Sequence, residues 1–220
     1  MLVLAVDTST PAVTAGVVRV TDGQPHTLSQ QIVVDPRLHA EVLTPNILRC
    51  LADASLTPQD LQAVVVGVGP GPFTGLRVGM ATASAFADAL GIPIHGVCSL
   101  DAIAAELPDE LDLVVVTDAR RREVYWARYR HAVRCAGPEV VAPALLDVAG
   151  ASAAAGSPAH VALFEVPVRE VESPSPQGLV LAALERLASG SAPAPIVPLY
   201  LRRPDAKTLE ERAAAKAVTP

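Results

Sequence analysis

Gly69, Gly71, Thr74 and Gly75 occur together where a β-branched run, Val64-Val65-Val66, gives way to a helical pattern, with Pro70 and Pro72 interleaved. Residues of these types at such a junction can bind an anion. Glycine admits close backbone approach and positive φ, proline stiffens the turn, and the free N–H groups of a helix start point at negative charge. Thr74 stands at the position of an N-cap. The same composition also suits a plain strand-to-helix turn, so the junction by itself supports two readings. Other chemistries lack their residues. Lys207 and Lys216 are the lysines of the chain, so its body offers none for a Walker-type loop or a Schiff base. No Gly-x-Ser-x-Gly elbow and no His-Glu-x-x-His pair occurs, which speaks against a serine hydrolase or a zinc peptidase. His39 lies on a helical stretch, but four residues further on stands Leu43, and His26, His95, His131 and His160 are scattered. No metal site is expected.

The elements that must carry the glycine loop follow from the apolar spacing. Residues 2–6, 13–20 and 27–34 read as strands, with turn residues at 8–11 and 22–25, and so as an antiparallel meander. Residues 37–54 carry a helical stripe of Leu38, Val42, Leu43, Ile47, Leu48 and Leu51. Strand 63–67, the glycine loop, helix 74–90 and strand 94–97 come next, with Gly91 and Pro93 ending the helix. Three antiparallel strands followed by αβ crossovers predict a mixed sheet with helices on its faces. A similar order begins again at strands 113–116 and 123–130, with a third strand ending near Val140. Helices are expected at 177–188 and 207–217, whereas residues 131–175 are rich in Ala, Pro, Gly and Ser and show poor periodicity. The division falls near residues 99–108, giving domains at 1–103 and 104–220, the second reduced.

Composition sets the class. The 220 residues are 50% apolar, enough for a sizeable core, and no apolar run approaches the about 18 residues of a membrane span. No basic leader precedes residue 2, so the protein is expected to be soluble and cytoplasmic. Cys50, Cys98 and Cys135 have neither disulfide nor zinc spacing. A net charge of −6 disfavours strong nucleic-acid binding by this chain alone.

Five segments in order resemble one family. They are Ala5-Val6-Asp7-Thr8-Ser9-Thr10, the loop 67–79, Asp118-Ala119-Arg120, Glu123-Val124-Tyr125-Trp126-Ala127 and Pro198-Leu199-Tyr200-Leu201-Arg202. Together they are similar to the bacterial TsaB family, also called YeaZ, over nearly the whole chain and least between 131 and 190. The resemblance implies an actin-like ATPase (ribonuclease H-like) α/β fold of two related domains, with mixed sheets flanked by helices. It implies a non-catalytic subunit in making threonylcarbamoyladenosine, next to the anticodon of tRNAs that read codons starting with A. The catalytic paralogue TsaD and the ATPase TsaE are the implied partners, with a homodimer when the chain is alone and tRNA met only through the complex. No cofactor is expected in this chain; ATP and metal belong to the partner subunits. Two rivals stand beside this reading: an independent actin-like small-molecule kinase or ATPase, and a homodimeric scaffold unrelated to tRNA.

The resemblance also assigns candidate residues. Asp7, Gly69, Gly71, Thr74 and Gly75 become a vestigial phosphate loop, although Asp7 equally suits a turn that accepts from its own backbone. A second loop is due at 118–122, but Asp118-Ala119-Arg120-Arg121-Arg122 has no glycine, which counts against ATP hydrolysis. Helices 37–54 and 74–90 would meet the partner through Leu38, Val42, Leu43, Ile47, Val78, Ala81 and Ala85, the small residues permitting close helix approach. Arg120, Arg121, Arg122, Arg202 and Arg203 are candidates to face tRNA, or a solvated surface.

Overall fold

Two sheets with the same core order organise the chain. The computed structural model describes residues 1–35, 38–190 and 192–202. In the first sheet the order is β3-β2-β1-β4-β5, built from Leu2–Asp7 (β1), Ala12–Thr21 (β2), Gln24–Val34 (β3), Ala63–Gly67 (β4) and Ile94–Val97 (β5). β1, β2 and β3 pair antiparallel, and β4 and β5 run parallel to β1. Asp22 and Gly23 close the β2–β3 turn at φ 52° and 75°, the left-handed pair that matches the twist of a two-residue hairpin. The parallel strands require crossovers, supplied by His39–Asp53 (α1) and Phe73–Leu90 (α2).

Those helices cover one face of the sheet. Leu43, Ile47, Cys50 and Leu51 of α1 and Ala83 and Ala87 of α2 pack with Leu4, Val6, Val64 and Val66. The opposite face carries Val3, Ala5, Ala63 and Val65, and a later helix, Pro176–Ser189 (α5), closes it with Leu179, Val180 and Ala183. β1 and β4 are thereby buried on both sides, which is why they read as continuous apolar runs rather than alternating ones.

The second sheet has the order β8-β7-β6-β9, from Leu113–Asp118 (β6), Val124–Arg130 (β7), Val133–Val141 (β8) and Ala153–Gly156 (β9). It repeats β3-β2-β1-β4 and stops one strand short. Its helical cover is correspondingly small: Ser99–Ala105 (α3) on one face, through Leu100, Ile103 and Ala104, and the single turn Pro158–Val161 (α4) on the other.

Several expectations change. Where the division is expected, Ser99–Ala105 form α3, in which Ala102 faces the first sheet's core while Leu100 and Ile103 face the second's. Helix α5 lies beyond the expected division yet packs on β1, β2 and β5 as well as on α3, so chain order and packing part company here. β9 is an element the apolar pattern does not predict: Ala153-Ala154-Ala155-Gly156 lacks strand-forming residues and becomes a strand by pairing with β6. Pro72, not Thr74, caps α2, and Thr74 is an exposed residue inside the first turn. Pro36, Arg37, Arg203 and the helix expected at 207–217 lie outside the described residues. Among the described residues, no helix is long and apolar enough to cross a membrane.

Candidate functional site

Asp7 ends β1 and is completely buried. Its Oδ1 accepts from Ser9 N at 2.8 Å and Ser9 Oγ at 2.7 Å, and its Oδ2 accepts from Ser99 Oγ at 2.6 Å. Burial raises its pKa, and the three serine hydrogen bonds pull it back down. Gly67 lies directly against it, where a Cβ would fall 1.7 Å from Oδ2. Both oxygens are used and the carboxylate is shut off from solvent. Asp7 holds the turn at 8–10 and ties β1 to the start of α3; it is not a group waiting for phosphate. Gly69 is likewise internal, its carbonyl accepting from Ser99 N at 2.8 Å.

The remaining loop candidates do face open space. Between the two sheets lies a cleft of about 700 Å³. One wall is formed by residues 8–11, His39, Gly71, Thr74, Gly75 and Val78. The glycines bring α2 onto the β1 turn: a Cβ at Gly71 would lie 2.3 Å from Ser9 O, and one at Gly75 2.5 Å from Thr8 O. Thr8 Oγ1 donates to Gly75 O at 2.7 Å, and His39 Nε2 is 3.0 Å from Thr10 O, a pairing in which that nitrogen donates.

The other wall comes from the end of β6 and the β6–β7 turn, Thr117 to Arg121, with Tyr125 and Arg202. Arg120 N donates to Asp118 Oδ1 at 2.7 Å, and Glu123 N to Arg120 O at 3.0 Å. Arg120, Arg121 and Arg122 take φ values of 61°, 53° and 64° in succession. For residues with a Cβ each such step costs about 1–2 kcal/mol, so the turn carries real strain. Arg202 steadies it, Nη1 donating to Ala119 O at 2.8 Å and Nη2 lying 3.1 Å from Glu123 Oε2. Residues 192–202 reach this point as a strap: Leu199 N donates to Val68 O, and the Tyr200 ring rests 4.6 Å from Phe73. Arg120, Arg121 and Arg202 thus meet at the cleft, whereas Arg122 is exposed away from it. Thr117 is a cleft residue that sequence reasoning misses. Its signal is a lone hydroxyl closing the apolar run of β6.

Asp7 is sealed off, and bulky arginines stand where the second loop would need glycine. Among the described residues, no group of three His, Cys, Asp or Glu could hold a metal ion.

Residues 28–189 match the family model described as "TsaD: tRNA N6-adenosine threonylcarbamoyltransferase". An uncharacterized protein of Mycobacterium tuberculosis is 59% identical over 207 residues, 94% of each chain. The tRNA threonylcarbamoyladenosine biosynthesis protein TsaB of Bacillus subtilis is 33% identical over 132 residues, 60% of this chain and 56% of that one. The solved structure of YeaZ from Pseudomonas aeruginosa superposes with a TM-score of 0.74 at 25% identity, over 91% of this chain and 99% of that one. The chain belongs to the TsaB (YeaZ) family. Its two mixed sheets are the actin-like, ribonuclease H-like fold of that family.

Another Pseudomonas structure, TM-score 0.73 at 26% identity over 89% of this chain and 99% of that one, is described as similar to the peptidase YEAZ. Among the described residues of this TsaB-family chain, Ser157 Oγ lies 2.9 Å from His160 Nδ1, with His160 Nε2 3.7 Å from Asp118 Oδ1. The Ser157 contact is local, across one turn at the start of α4, and the Asp118 distance is beyond hydrogen-bond range. Neither Ser157 nor His160 lines the cleft. Burial raises the pKa of the Cys50 thiol and pushes that of Cys98 up to about 12, so neither is a ready thiolate.

The helices expected to form a partner face divide sharply. Leu43 and Ile47 are 1% and 0% exposed and belong to the core, a correction to their reading as contact residues: the sheet beneath α1 consumes that stripe. Val42 and Val78 are half-buried against the same core, and Leu38 is half-buried at the start of α1. Ala81 and Ala85 are exposed one turn apart on α2, and Leu48 of α1, 51% exposed, is an outward apolar residue not among the expected contacts.

Proposed function

We propose that the chain is the non-catalytic activating and assembly subunit for transfer of a threonylcarbamoyl group to the adenosine next to the anticodon of tRNAs reading codons that start with A. The naming of the Bacillus subtilis and Escherichia coli relatives as tRNA threonylcarbamoyladenosine biosynthesis proteins carries this reading. The locked Asp7 supports an accessory role over an independent kinase or ATPase. In this reading the catalytic paralogue TsaD and the ATPase TsaE supply metal and ATP, and this chain adds no cofactor. It acts in the cytoplasm, forms a homodimer when alone and meets tRNA through the complex. Its thermodynamic task is to bind the competent state of the catalytic partner better than the incompetent one.

The test is an omission assay with TsaD, TsaE, threonylcarbamoyl-adenylate and tRNA, with and without this chain. Modification that requires the chain is the expected result; equal modification without it overturns the role. Ala85→Arg on the exposed face of α2 is expected to weaken association with TsaD while leaving the melting temperature of the free chain unchanged. Unaltered association in that variant would remove α2 from the interface.

A further inference from the structure

Away from the cleft, a second cavity of about 340 Å³ opens where the edge strand β5, the last turn of α5 and the strap come together. It shares no lining residue with the cleft. His95 forms part of its wall. The side chain is 6% exposed, and neither ring nitrogen has a hydrogen-bond partner among the described residues. A buried imidazole without a partner is costly, so its hydrogen-bonding groups are met by what occupies the cavity. Arg186 lines the same space, held in place by donating from Nη1 to Gly96 O at 2.8 Å and from Nη2 to Ala182 O at 3.3 Å. Those carbonyls leave further guanidinium N–H groups unused, and no carboxylate pairs with the charge among the described residues. No Asp, Glu or Lys lines the cavity, and Val68, Pro193, Pro195 and Ile196 give it apolar walls. An apolar cavity with a few convergent polar groups is the form of a small-molecule site.

We infer that this cavity binds a small carboxylate on an apolar body, its oxygens accepting from the Arg186 guanidinium and from a ring N–H of His95. One formal positive charge beside one neutral imidazole matches a monoanion rather than a phosphate dianion, and a planar carboxylate suits the guanidinium fork. Strand alternation puts His95 with Val97 on the α5 face of the sheet, while α2 packs on the other. From α5 comes Arg186; β4 and residues 192–197 bring no charged side chain. Burial first, and then the Arg186 charge, hold the His95 pKa below its ordinary 6.5, so the free ring is neutral at about pH 7. A bound carboxylate favours the protonated ring, so binding takes up a proton and tightens as pH falls. The site stands apart from any role in tRNA modification.

Benzoate, titrated onto the purified full chain carrying nitrogen-15 histidine and followed by the ring resonances of His95, tests the inference; benzamide and inorganic phosphate are the controls. A saturable shift is expected, with a Kd on the order of a millimolar, ordinary for so small a ligand. Benzamide and phosphate should each bind about tenfold more weakly. Arg186→Gln is expected to weaken benzoate about tenfold, the loss of a charge-assisted hydrogen bond, and Arg186→Lys to recover part of that loss. His95→Gln keeps a donor, so its benzoate affinity, read by chemical-shift changes of the probe, should stay within about threefold of the parent at about pH 8. The parent should bind more tightly at about pH 6 than at about pH 8, and His95→Gln should lose that difference. Failure of benzoate to saturate, equal binding of benzamide, unchanged affinity in Arg186→Gln, or the same pH dependence in His95→Gln would each overturn the assignment.

Discussion

The turns after β1 and after β6 occupy equivalent places in two sheets of the same strand order, yet they use their polar groups in opposite ways. After β1, Asp7 accepts three hydrogen bonds, Thr8 donates to Gly75, and the glycines of the α2 loop let backbone meet backbone. After β6, Thr117 keeps a buried, unpaired hydroxyl, and of the three left-handed arginines of the turn Arg120 and Arg121 line the cleft. The β1 turn resembles a ligand loop in its sequence and is a packing device in its structure. The β6 turn has a sequence unsuited to any phosphate loop, and it is the one beside which a buried threonine hydroxyl is left unpaired among the described residues. A motif shows which backbone can form; only the hydrogen-bond accounting shows whether anything is left to bind with.

The contrast breaks most easily at Asp7. Asp7→Ala strands Ser9 and Ser99 in the interior and is expected to cost about 3 kcal/mol, from the loss of three buried hydrogen bonds at about 1 kcal/mol each, read as a lower midpoint in urea. A change below half of that would mean the turn is not held by the carboxylate. Gly71→Ala must push Ser9 away and is expected to cost about 2 kcal/mol, in the range for overpacking; an unaltered melting temperature would show that the loop yields freely.

pH sharpens the comparison because a carboxylate in each half titrates with opposite sign. Burial raises the Asp7 pKa above its ordinary 3.8, so its contribution is full below that value and is lost as pH rises through the raised pKa. The deficit of Asp7→Asn should therefore shrink toward neutral pH. Glu110, beside β6, accepts from Arg169 and Ser152, which hold its pKa below the ordinary 4.5. Its contribution is present above 4.5 and lost as pH falls through the lowered pKa, so the deficit of Glu110→Gln should grow with pH. Denaturant midpoints from acid to neutral pH for both variants check the pair, and deficits that move in the same direction would contradict it. The smallest effect belongs to Thr117→Val, which removes an unpaired hydroxyl and should leave unliganded stability within about 0.5 kcal/mol or raise it. A large loss there would mean that the hydroxyl has a partner in the folded protein.

Legibility follows local physics. β4 and β5 emerge at 63–67 and 94–97 as expected, because β-branched runs bounded by Gly and Pro leave little freedom. The α2 stop at Gly91 is equally plain, with φ at 65°. α3 is hidden in the sequence since Ser99–Ala105 is short and apolar on faces turned to both sheets, so it has no amphipathic period. On α1 the stripe is legible but its destination is not: apolar spacing marks a buried face, and nothing in the spacing distinguishes the chain's own sheet from a partner's helix.

By itself the sequence determined the strands of the first sheet, the family and the segments that make the cleft walls, because alternation, turn chemistry and motif order are local properties of the chain. Tertiary structure alone decided that the buried Asp7 is fully paired while the buried Thr117 hydroxyl is not, that α5 closes the first sheet from beyond the second, and that Arg120 and Arg202 share one rim. The physical reason is common to all three. Burial and hydrogen-bond partnership belong to groups far apart along the chain, and they are settled only when the strap and the two sheets have packed against one another.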